Sequence, residues 1–307
     1  MSSPFQREWR PAWPCPVGSI LAPLRRGAGD PTFARGGDGS LWRASLTPQG
    51  AATLRVRSDP GLGVIHASAW GPGAEWILDS VPRLLGADDD WAGFIPLHPV
   101  VERSWRAHPH WRIGATGLVF DALLPAILEQ KVTGQEAFGA YRRLVTRFGD
   151  AAPGPAADAG LRVPPSAAEV AQIPSWEWLR LPVDGGRSTP AVRAAKVAGA
   201  LERAGVRGAA DLDRALQSLP GIGVWTSAEV RTRALGDPDA VSFGDYHVAK
   251  DVGWALTGTP VDDAGLAELL APWAGQRARV VGLLALAGLR RPRRGPRMAP
   301  RSHLPGS

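Results

Sequence analysis

The alternation of apolar and polar side chains in the first hundred residues predicts a small mixed α/β unit. Two short runs, residues 41–46 and 52–56, alternate with the period of a half-buried β-strand. Residues 47–50 between them include Pro and Gly, which favour turns, so the two runs predict a β-hairpin. From residue 75 to 85 the apolar spacing becomes helical, and Pro82 predicts a bend in that helix.

From about residue 99 onward the apolar spacing predicts helices almost throughout. Residues 117–148 predict two helices that meet near Thr133 and Gly134, and residues 166–169 have the capping-box pattern that opens a helix. Residues 151–165 are rich in Ala, Pro and Gly and predict a surface loop. Further helices are predicted over residues 188–204, 212–219, 224–235, 246–257, 262–270 and 274–288.

These patterns divide the chain into three parts. Residues 1–98 form a predicted mixed α/β domain, residues 99–289 a predicted helical core, and residues 290–307 a predicted disordered tail rich in Arg and Pro. The chain has 307 residues, of which 44% are hydrophobic and 13 are Trp. This composition is that of a globular protein with a buried core.

The positive charge of the chain is concentrated in the predicted tail. A sequence pI of about 10.3 by itself suggests a nucleic-acid partner. However, the six arginines of residues 290–307 have no acidic neighbours there and account for the whole formal net charge of +6. Residues 1–289 are therefore neutral overall, and any DNA-binding hypothesis has to rest on local residues.

Cysteine content and apolar run length exclude several classes of protein. The single cysteine, Cys15, rules out a disulfide framework, a four-cysteine iron–sulfur cluster and a structural zinc site built on Cys. Residues 1–7 lack the apolar core of a signal peptide, and the longest apolar stretch, residues 280–289, is too short to span a membrane. We therefore expect a cytoplasmic, nucleoid-associated protein without membrane contact.

The most informative segment is Leu-Pro-Gly-Ile-Gly at residues 219–223, between two amphipathic helices. Gly221 and Gly223 allow positive φ and a close backbone approach, so the amide groups of the turn and of the next helix can point outward together. Such a turn can bind a phosphate through backbone donors and the helix dipole, without a basic cluster. The alternative is an ordinary tight turn between helices.

Three segments together resemble the helix-hairpin-helix DNA glycosylase superfamily. They are Leu-Pro-Gly-Ile-Gly-Val-Trp-Thr-Ser-Ala at 219–228, Val-Ser-Phe-Gly-Asp-Tyr at 241–246, and Ala-Ile-Leu-Glu-Gln-Lys-Val at 126–132. The spacing from Trp225 to Asp245 and the N-terminal mixed unit resemble in particular the bacterial 3-methyladenine DNA glycosylase II branch. The resemblance implies a mainly α fold, α+β overall, with a helix-hairpin-helix glycosylase core behind a small N-terminal α/β domain.

Asp245 occupies the position of the acid that is essential in this superfamily. Breaking an N-glycosidic bond takes the sugar through an oxocarbenium-like cation, which an ionised carboxylate stabilises while it orients or deprotonates the attacking water. The resemblance therefore implies that Asp245 is the catalytic residue. The alternative is that Asp245 only caps the helix predicted over residues 246–257.

Trp225 decides between hydrolase and lyase chemistry. In the bifunctional members the second residue after the hairpin is a Lys that forms a Schiff base. Here that position is Trp225, and the chain's three lysines, Lys131, Lys196 and Lys250, all lie elsewhere. The resemblance thus implies a monofunctional hydrolase, in which the indole of Trp225 either lines the pocket of the flipped base or packs the hairpin helix.

The resemblance implies further DNA contacts around the hairpin. Gln130 is a candidate for contact with the base opposite the gap, and Thr226 for a phosphate contact or a local backbone bond. Lys131 is interpreted as the residue that fills the gap, as a phosphate contact or as a solvated side chain. The complete set of predicted DNA-binding residues is Gly221, Ile222, Gly223, Thr226, Gln130 and Lys131.

Two further residues near the predicted pocket bear on specificity. Glu229 follows Trp225 by one helical turn, where an aromatic side chain would suit a stacking pocket better; we expect it to point outward into solvent. If it faced the pocket, its charge would favour a cationic base. His247 is expected to face away from Asp245, and without further ligands at a useful spacing it predicts no metal site.

The sequence thus predicts a monofunctional DNA glycosylase of base excision repair that acts on flipped alkylated purines of the 3-methyladenine and 7-methylguanine type. Its expected partner is double-stranded DNA with damaged bases, bound by a monomer. No cofactor is expected, although the hairpin carbonyls could bind a monovalent cation. The alternatives are a non-catalytic helix-hairpin-helix DNA-binding protein and a glycosylase for oxidised or deaminated bases.

Overall fold

An antiparallel sheet forms most of the N-terminal part of the chain. The computed structural model describes residues 3–292, so the predicted tail lies outside the described residues except for 290–292. Five strands pair in the order β1-β5-β4-β3-β2. Their bounds are β1 Phe5–Trp9, β2 Phe33–Arg35, β3 Leu41–Thr47, β4 Gly50–Asp59 and β5 Val64–Trp70. The pairing of β3 with β4 confirms the predicted hairpin.

Four helices accompany this sheet. The helix predicted over residues 75–85 is divided at Ser80, because Pro82 lacks the amide that would continue the ladder and so begins a new turn. The bounds are α1 Val17–Leu21, α2 Ala74–Asp79, α3 Val81–Leu84 and α4 Pro99–Ala107.

The rest of the described chain is mainly helical. The two helices predicted over residues 117–148 are present, and a capping box between Thr133 and Glu136 begins the second one. The capping box predicted at residues 166–169 is also confirmed. The bounds are α5 Val119–Leu128, α6 Gly134–Phe148, α7 Ala167–Gln172, α8 Ser175–Arg180, α9 Gly185–Lys196, α10 Ala198–Arg207, α11 Ala209–Gln217, α12 Val224–Leu235, α13 Val248–Thr257, α14 Asp263–Leu270 and α15 Arg277–Leu286.

Two of the local predictions are wrong. Residues 151–165 are not simply a surface loop: β6 (Asp150–Ala151) pairs with β7 (Arg162–Val163), and buried side chains of this segment, among them Leu161 and Val163, pack against the first sheet. The helix predicted over residues 188–204 is two helices, α9 and α10, which meet at Val197. In α9, Pro190 falls in the interior rather than at the start, because the helix begins at Gly185.

Two large hydrophobic cores organise the described chain. One core combines the N-terminal sheet with side chains of α13, α14 and α15, and the other is formed by helices α5 to α12. The described chain therefore doubles back, so that its C-terminal helices share a core with its N-terminal part, and α15 packs against α4. The predicted boundary after residue 98 stays a prediction. No helix within residues 3–292 is long and apolar enough to cross a membrane.

Candidate functional site

The turn between α11 and α12 requires glycine at one position for two separate reasons. Gly221 has φ +97°, a conformation that L side chains rarely adopt. In addition, a Cβ on Gly221 would lie 2.4 Å from Cγ of Pro190 on α9. Gly223 differs, because its backbone is extended and a Cβ there would meet open space. The turn is thus held against α9 at Gly221 and is open to solvent at Gly223.

The hairpin presents the start of α12 to solvent. Ile222 is buried and its amide donates to the carbonyl of Leu219 at 3.0 Å, which fixes the turn on the helical core. Gly223 is the N-cap of α12 and supplies no side chain to satisfy the first amides of the helix. Those amides and the positive end of the helix dipole form a surface suited to a phosphate.

Gln130, in the turn between α5 and α6, forms hydrogen bonds to this hairpin. Its Nε2 donates to the carbonyl oxygen of Gly221 at 3.0 Å and to the hydroxyl of Thr226 at 2.8 Å. Thr226 is only 2% exposed, so the structure directs its hydroxyl to Gln130 rather than to the surface. The predicted contacts of Gln130 and Thr226 with DNA stay predictions.

Lys131 lies at the tip of the turn between α5 and α6. It is exposed and has φ +55°, which is uncommon for a residue other than Gly. Such backbone strain is often found at functional sites. Its position beside Gln130 agrees with either a gap-filling or a phosphate-binding role.

Asp245 lies in the loop that precedes α13 and uses both of its carboxylate oxygens. Oδ1 accepts the amides of His247 at 2.7 Å and Val248 at 3.0 Å, so this oxygen caps the start of α13. Oδ2 accepts the indole Nε1–H of Trp225 at 3.1 Å. In this half-buried carboxylate Oδ1 is therefore used for capping, and Oδ2 is the oxygen on the side of Trp225.

Trp225 lies across from this loop at the start of α12. Its ring is partly buried against the core formed by α5 to α12, while its Nε1–H reaches Asp245. Phe243 and Val248, on either side of Asp245, pack against the other core. The Trp225–Asp245 pair therefore joins the two cores, and cofactor and substrate pockets often form at such junctions.

The prediction that Glu229 points outward into solvent is wrong. Its side chain is only 18% exposed, and both carboxylate oxygens are bound. Oε1 accepts the hydroxyl of Ser242 at 2.5 Å, and Oε2 accepts Nη1 of Arg233 at 2.5 Å. The acid is retained inside because a buried carboxylate is stable only when it is paired and hydrogen-bonded.

A second ion pair, which the sequence did not reveal, lies beside this one. Nη1 of Arg26 donates to Oε1 of Glu129 at 2.9 Å. Burial raises the pKa of Glu129 above its ordinary value, Arg26 and Arg233 counteract this, and the charges of Glu229 and Asp245 add to the rise. The only sequence signal was the acid inside the segment 126–132, since Arg26 is 103 positions away along the chain.

His247 follows Asp245 by two positions in the same loop. The imidazole of His247 packs edge-on against the ring of Tyr246, with centroids 4.9 Å apart, and its orientation relative to Asp245 stays a prediction. Within residues 3–292 no group of three or more His, Cys, Asp or Glu side chains is arranged to hold a metal ion.

Comparison with solved structures identifies the fold. A 3-methyladenine DNA glycosylase from Archaeoglobus fulgidus superposes with a TM-score of 0.70 at 18% identity, over 92% of this chain and 98% of that one. MBOgg1 in complex with a low-affinity DNA ligand gives 0.73 at 12% identity, over 94% and 96%. The 8-oxoguanine glycosylase/lyase of Clostridium acetobutylicum, in complex with double-stranded DNA, gives 0.68 at 11% identity, over 94% and 98%.

The chain has the fold of the helix-hairpin-helix DNA glycosylases. No family model and no curated protein sequence matches it. The helix-hairpin-helix fold confirms the predicted fold class, with a sheet-containing part joined to a helical core. Because the superposed structures include both 3-methyladenine and 8-oxoguanine enzymes, this fold does not by itself select a lesion.

If the hairpin binds DNA as the sequence predicts, replacing Gly221 by Ala is expected to weaken that binding roughly tenfold, the equivalent of one lost hydrogen bond to a charged group. The added Cβ is strained by φ +97° and collides with Pro190, so the turn has to move. Fluorescence anisotropy with a labelled abasic-site duplex measures the affinity. Gly39→Ala is the matched control, because Gly39 has φ +80° with open space around it, in the N-terminal sheet region. Equal affinity of both variants would contradict this prediction.

Proposed function

We propose that the protein is a monofunctional DNA glycosylase that hydrolyses the N-glycosidic bond of flipped alkylated purines in double-stranded DNA. The observation that carries this proposal is the hydrogen bond between Trp225 and Asp245, which places a half-buried carboxylate against a large aromatic ring beside the hairpin. A carboxylate suits a cationic sugar, and an aromatic face suits a positively charged alkylated base.

In the proposed reaction the hairpin binds a phosphate of the damaged strand and the base is turned out of the stack. The Asp245 carboxylate then stabilises the positive charge that develops on the sugar as the bond to the base breaks. A water molecule, oriented or deprotonated by the same carboxylate, adds to the sugar carbon. The products are the free base and an intact abasic strand.

Water rather than an amine is proposed as the nucleophile, because none of the three lysine side chains forms a hydrogen bond or an ion pair with Asp245. Lys131 lies in the turn after α5, and Lys196 is an exposed residue that ends α9. The ammonium of Lys250 lies 3.7 Å from the ring centroid of Tyr246. At the position of the Schiff-base lysine, this chain has the indole that donates to Asp245.

Two observations favour a glycosylase for oxidised bases as the second candidate. Structures of 8-oxoguanine enzymes superpose on this chain as well as the 3-methyladenine enzyme does. In addition, the wall of α12 one turn beyond Trp225 is ionic rather than aromatic, since Glu229 pairs there with Arg233. A neutral oxidised base depends more on hydrogen bonds than on cation–π contact.

The deciding experiment is a release panel on duplex DNA. Purified protein is incubated with methylated DNA and, separately, with duplexes containing 8-oxoguanine or a deaminated base, and released bases are identified by mass spectrometry. We expect release of 3-methyladenine or 7-methylguanine. Release of only an oxidised or deaminated base would favour the second candidate, and DNA binding without release of any base would favour a non-catalytic binding protein.

The same reactions test the absence of lyase chemistry. We expect the abasic strand to remain uncleaved on a denaturing gel, and borohydride to trap no covalent adduct with the protein, because hydrolysis forms no imine. An adduct abolished by Lys250→Ala or Lys131→Ala would contradict the proposal.

We propose that the protein works as a monomer in the cytoplasm, at the nucleoid, without a cofactor. A monovalent cation at the hairpin remains part of this proposal. Of the hairpin carbonyls, that of Gly221 already accepts Gln130, which leaves it one remaining lone pair for such an ion.

A further inference from the structure

Glu229 connects the hairpin helix to the loop that carries Asp245. The hydroxyl of Ser242 donates to Oε1 of Glu229 at 2.5 Å, and the carbonyl of Ser242 accepts the amide of Asp245 at 3.2 Å. Ser242 is thus held by α12 through its side chain while it holds Asp245 through its backbone. Any displacement of Ser242 is transmitted to the carboxylate three residues later.

Of the bonds between α12 and this loop, the two that involve Asp245 and Ser242 lie one helical turn apart on α12. Trp225 binds the Asp245 carboxylate directly, and Glu229 binds Ser242. Residues four positions apart lie on the same face of a helix, so both contacts come from one rigid surface. Trp225 holds the carboxylate itself, whereas Glu229 holds Ser242, whose carbonyl accepts the Asp245 amide.

The hydrogen bond between Ser242 and Glu229 depends on the charge and position of the Glu229 carboxylate. Burial by itself would raise the pKa of Glu229, but the Arg233 guanidinium and the Ser242 hydroxyl outweigh it and hold that pKa below its ordinary value. The group therefore remains a carboxylate, which is the stronger acceptor for a hydroxyl. Arg233 is itself held in position, because its Nη1 also donates to the Glu229 carbonyl at 3.0 Å and its Nε to the carbonyl of Pro23 at 3.4 Å.

We infer that Glu229, acting through Ser242, is a positioning residue for the Asp245 carboxylate; this inference rests on the proposed function, in which that carboxylate faces the sugar. Glu229 then orients the loop that carries Asp245 and does not contact the base. Stacking of the base would depend on Trp225 without a second ring from this position of α12.

Ser242→Ala is the primary test, because it removes the link and leaves the buried Glu229–Arg233 pair intact. Under single-turnover conditions we expect base release to slow about tenfold, as for one lost hydrogen bond to a charged group. Affinity for an abasic-site duplex should stay within about twofold, since the hairpin is unchanged. The control is Ser104→Ala, which removes a buried hydroxyl that donates to a carbonyl of its own helix, α4. A release rate equal to that of Ser104→Ala would overturn the inference.

A second readout does not need activity and separates this inference from the proposed function. The indole NMR signal of Trp225, assigned by its loss in Trp225→Phe, reports the contact with Asp245 directly. In Ser242→Ala we expect that signal to shift and its hydrogen exchange with water to accelerate, while Ser104→Ala leaves it unchanged. An unshifted signal would overturn the inference. If wild-type protein released no base from any duplex, the proposed function would fail and this signal would decide the positioning inference alone.

Conservative replacement of Glu229 distinguishes positioning from simple support of the fold. Glu229→Gln keeps an oxygen that accepts the Ser242 hydroxyl, whereas Glu229→Ala keeps none, and both variants lose the charge that pairs with Arg233. We expect Gln to retain a release rate several-fold above Ala, at a similar loss of thermal stability. Equal release rates for the two variants would assign Glu229 to the fold alone and overturn the inference.

Discussion

Asp245→Asn is expected to slow base release by roughly 10²–10³-fold, the loss typical of removing one electrostatic contact from a transition state. The substitution keeps the shape of the side chain and removes its charge, so it no longer stabilises a cationic sugar. It also creates a local mismatch, because Asp245 accepts hydrogen bonds on both oxygens and an Asn amide has only one acceptor. We expect the amide oxygen to keep capping α13 and the amide nitrogen to face Trp225.

Single-turnover kinetics measure the rate of base release, and binding to an abasic-site duplex measures the affinity for DNA. Rate should fall while affinity stays close to that of the wild type, because the hairpin does not involve Asp245. Asp262→Asn is the matched control: Asp262 caps α14 by accepting the amide of Gly265 at 2.9 Å, and Asn caps helices equally well. An Asp245→Asn protein with full activity would refute the catalytic assignment and leave Asp245 as a helix cap.

The local parts of this site could be predicted from sequence because they are encoded by neighbouring residues. The turn at Gly221 needs positive φ, and that requirement is visible in a short segment with two glycines. The two helices after residue 117 follow from apolar spacing and from the capping box at Thr133. Such signals act within a few positions and do not depend on the rest of the fold.

The ionic wall beside Asp245 could not be predicted, because its partners meet only after the chain has folded. Ser242 and Glu229 are 13 positions apart, and Arg26 and Glu129 are 103 apart. Charged side chains are usually exposed in folded proteins, so the sequence favoured a Glu229 that points into solvent. Pairing reversed it, since each buried acid here has a guanidinium within hydrogen-bonding distance.

The assembly of the two cores is non-local in the same way. Apolar spacing predicted α13, α14 and α15 as helices but carried no information about which surface they cover. In the structure α15 also supports the segment before the Asp245 loop: the amide of Arg279 donates to the carbonyl of Pro238 at 3.1 Å, and the amides of Gly275 and Arg277 donate to Asp239. The C-terminal helices thus connect the N-terminal part of the chain to the candidate active site.

The most deeply buried ion pair within residues 3–292 is that between Arg279 and Asp89. Their side chains are 0% and 1% exposed, with Nη1–Oδ2 and Nη2–Oδ1 distances of 2.8 and 2.5 Å. The guanidinium also donates to the Asp90 carbonyl at 2.9 Å and lies 4.4 Å from the ring centroid of Trp91. The guanidinium thus joins α15 to the segment that follows α3, with one further bond to Gln276. Asp89 also accepts the amide of Ile113 and the indole Nε1–H of Trp91.

Arg279→Met is therefore expected to lower the free energy of unfolding by about 3–5 kcal/mol, because it leaves the Asp89 carboxylate buried without its partner. Urea unfolding, followed by circular dichroism, measures the loss from the midpoint and slope. Arg277→Met is the control: Arg277 pairs with Asp239 at the start of the same helix, but the two side chains are 33% and 27% exposed, so its loss should be about 1 kcal/mol or less.

The double variant Arg279→Met with Asp89→Asn distinguishes a buried charge from lost packing. Asn removes the unpaired charge, and its amide oxygen can still accept the amide of Ile113, which Asp89 binds at 2.8 Å. If the unpaired carboxylate causes most of the loss, the double variant should recover part of the stability lost in Arg279→Met. If it were less stable than Arg279→Met alone, the loss would come from packing against Trp91 and Phe94 instead, since Arg279 lies over both rings.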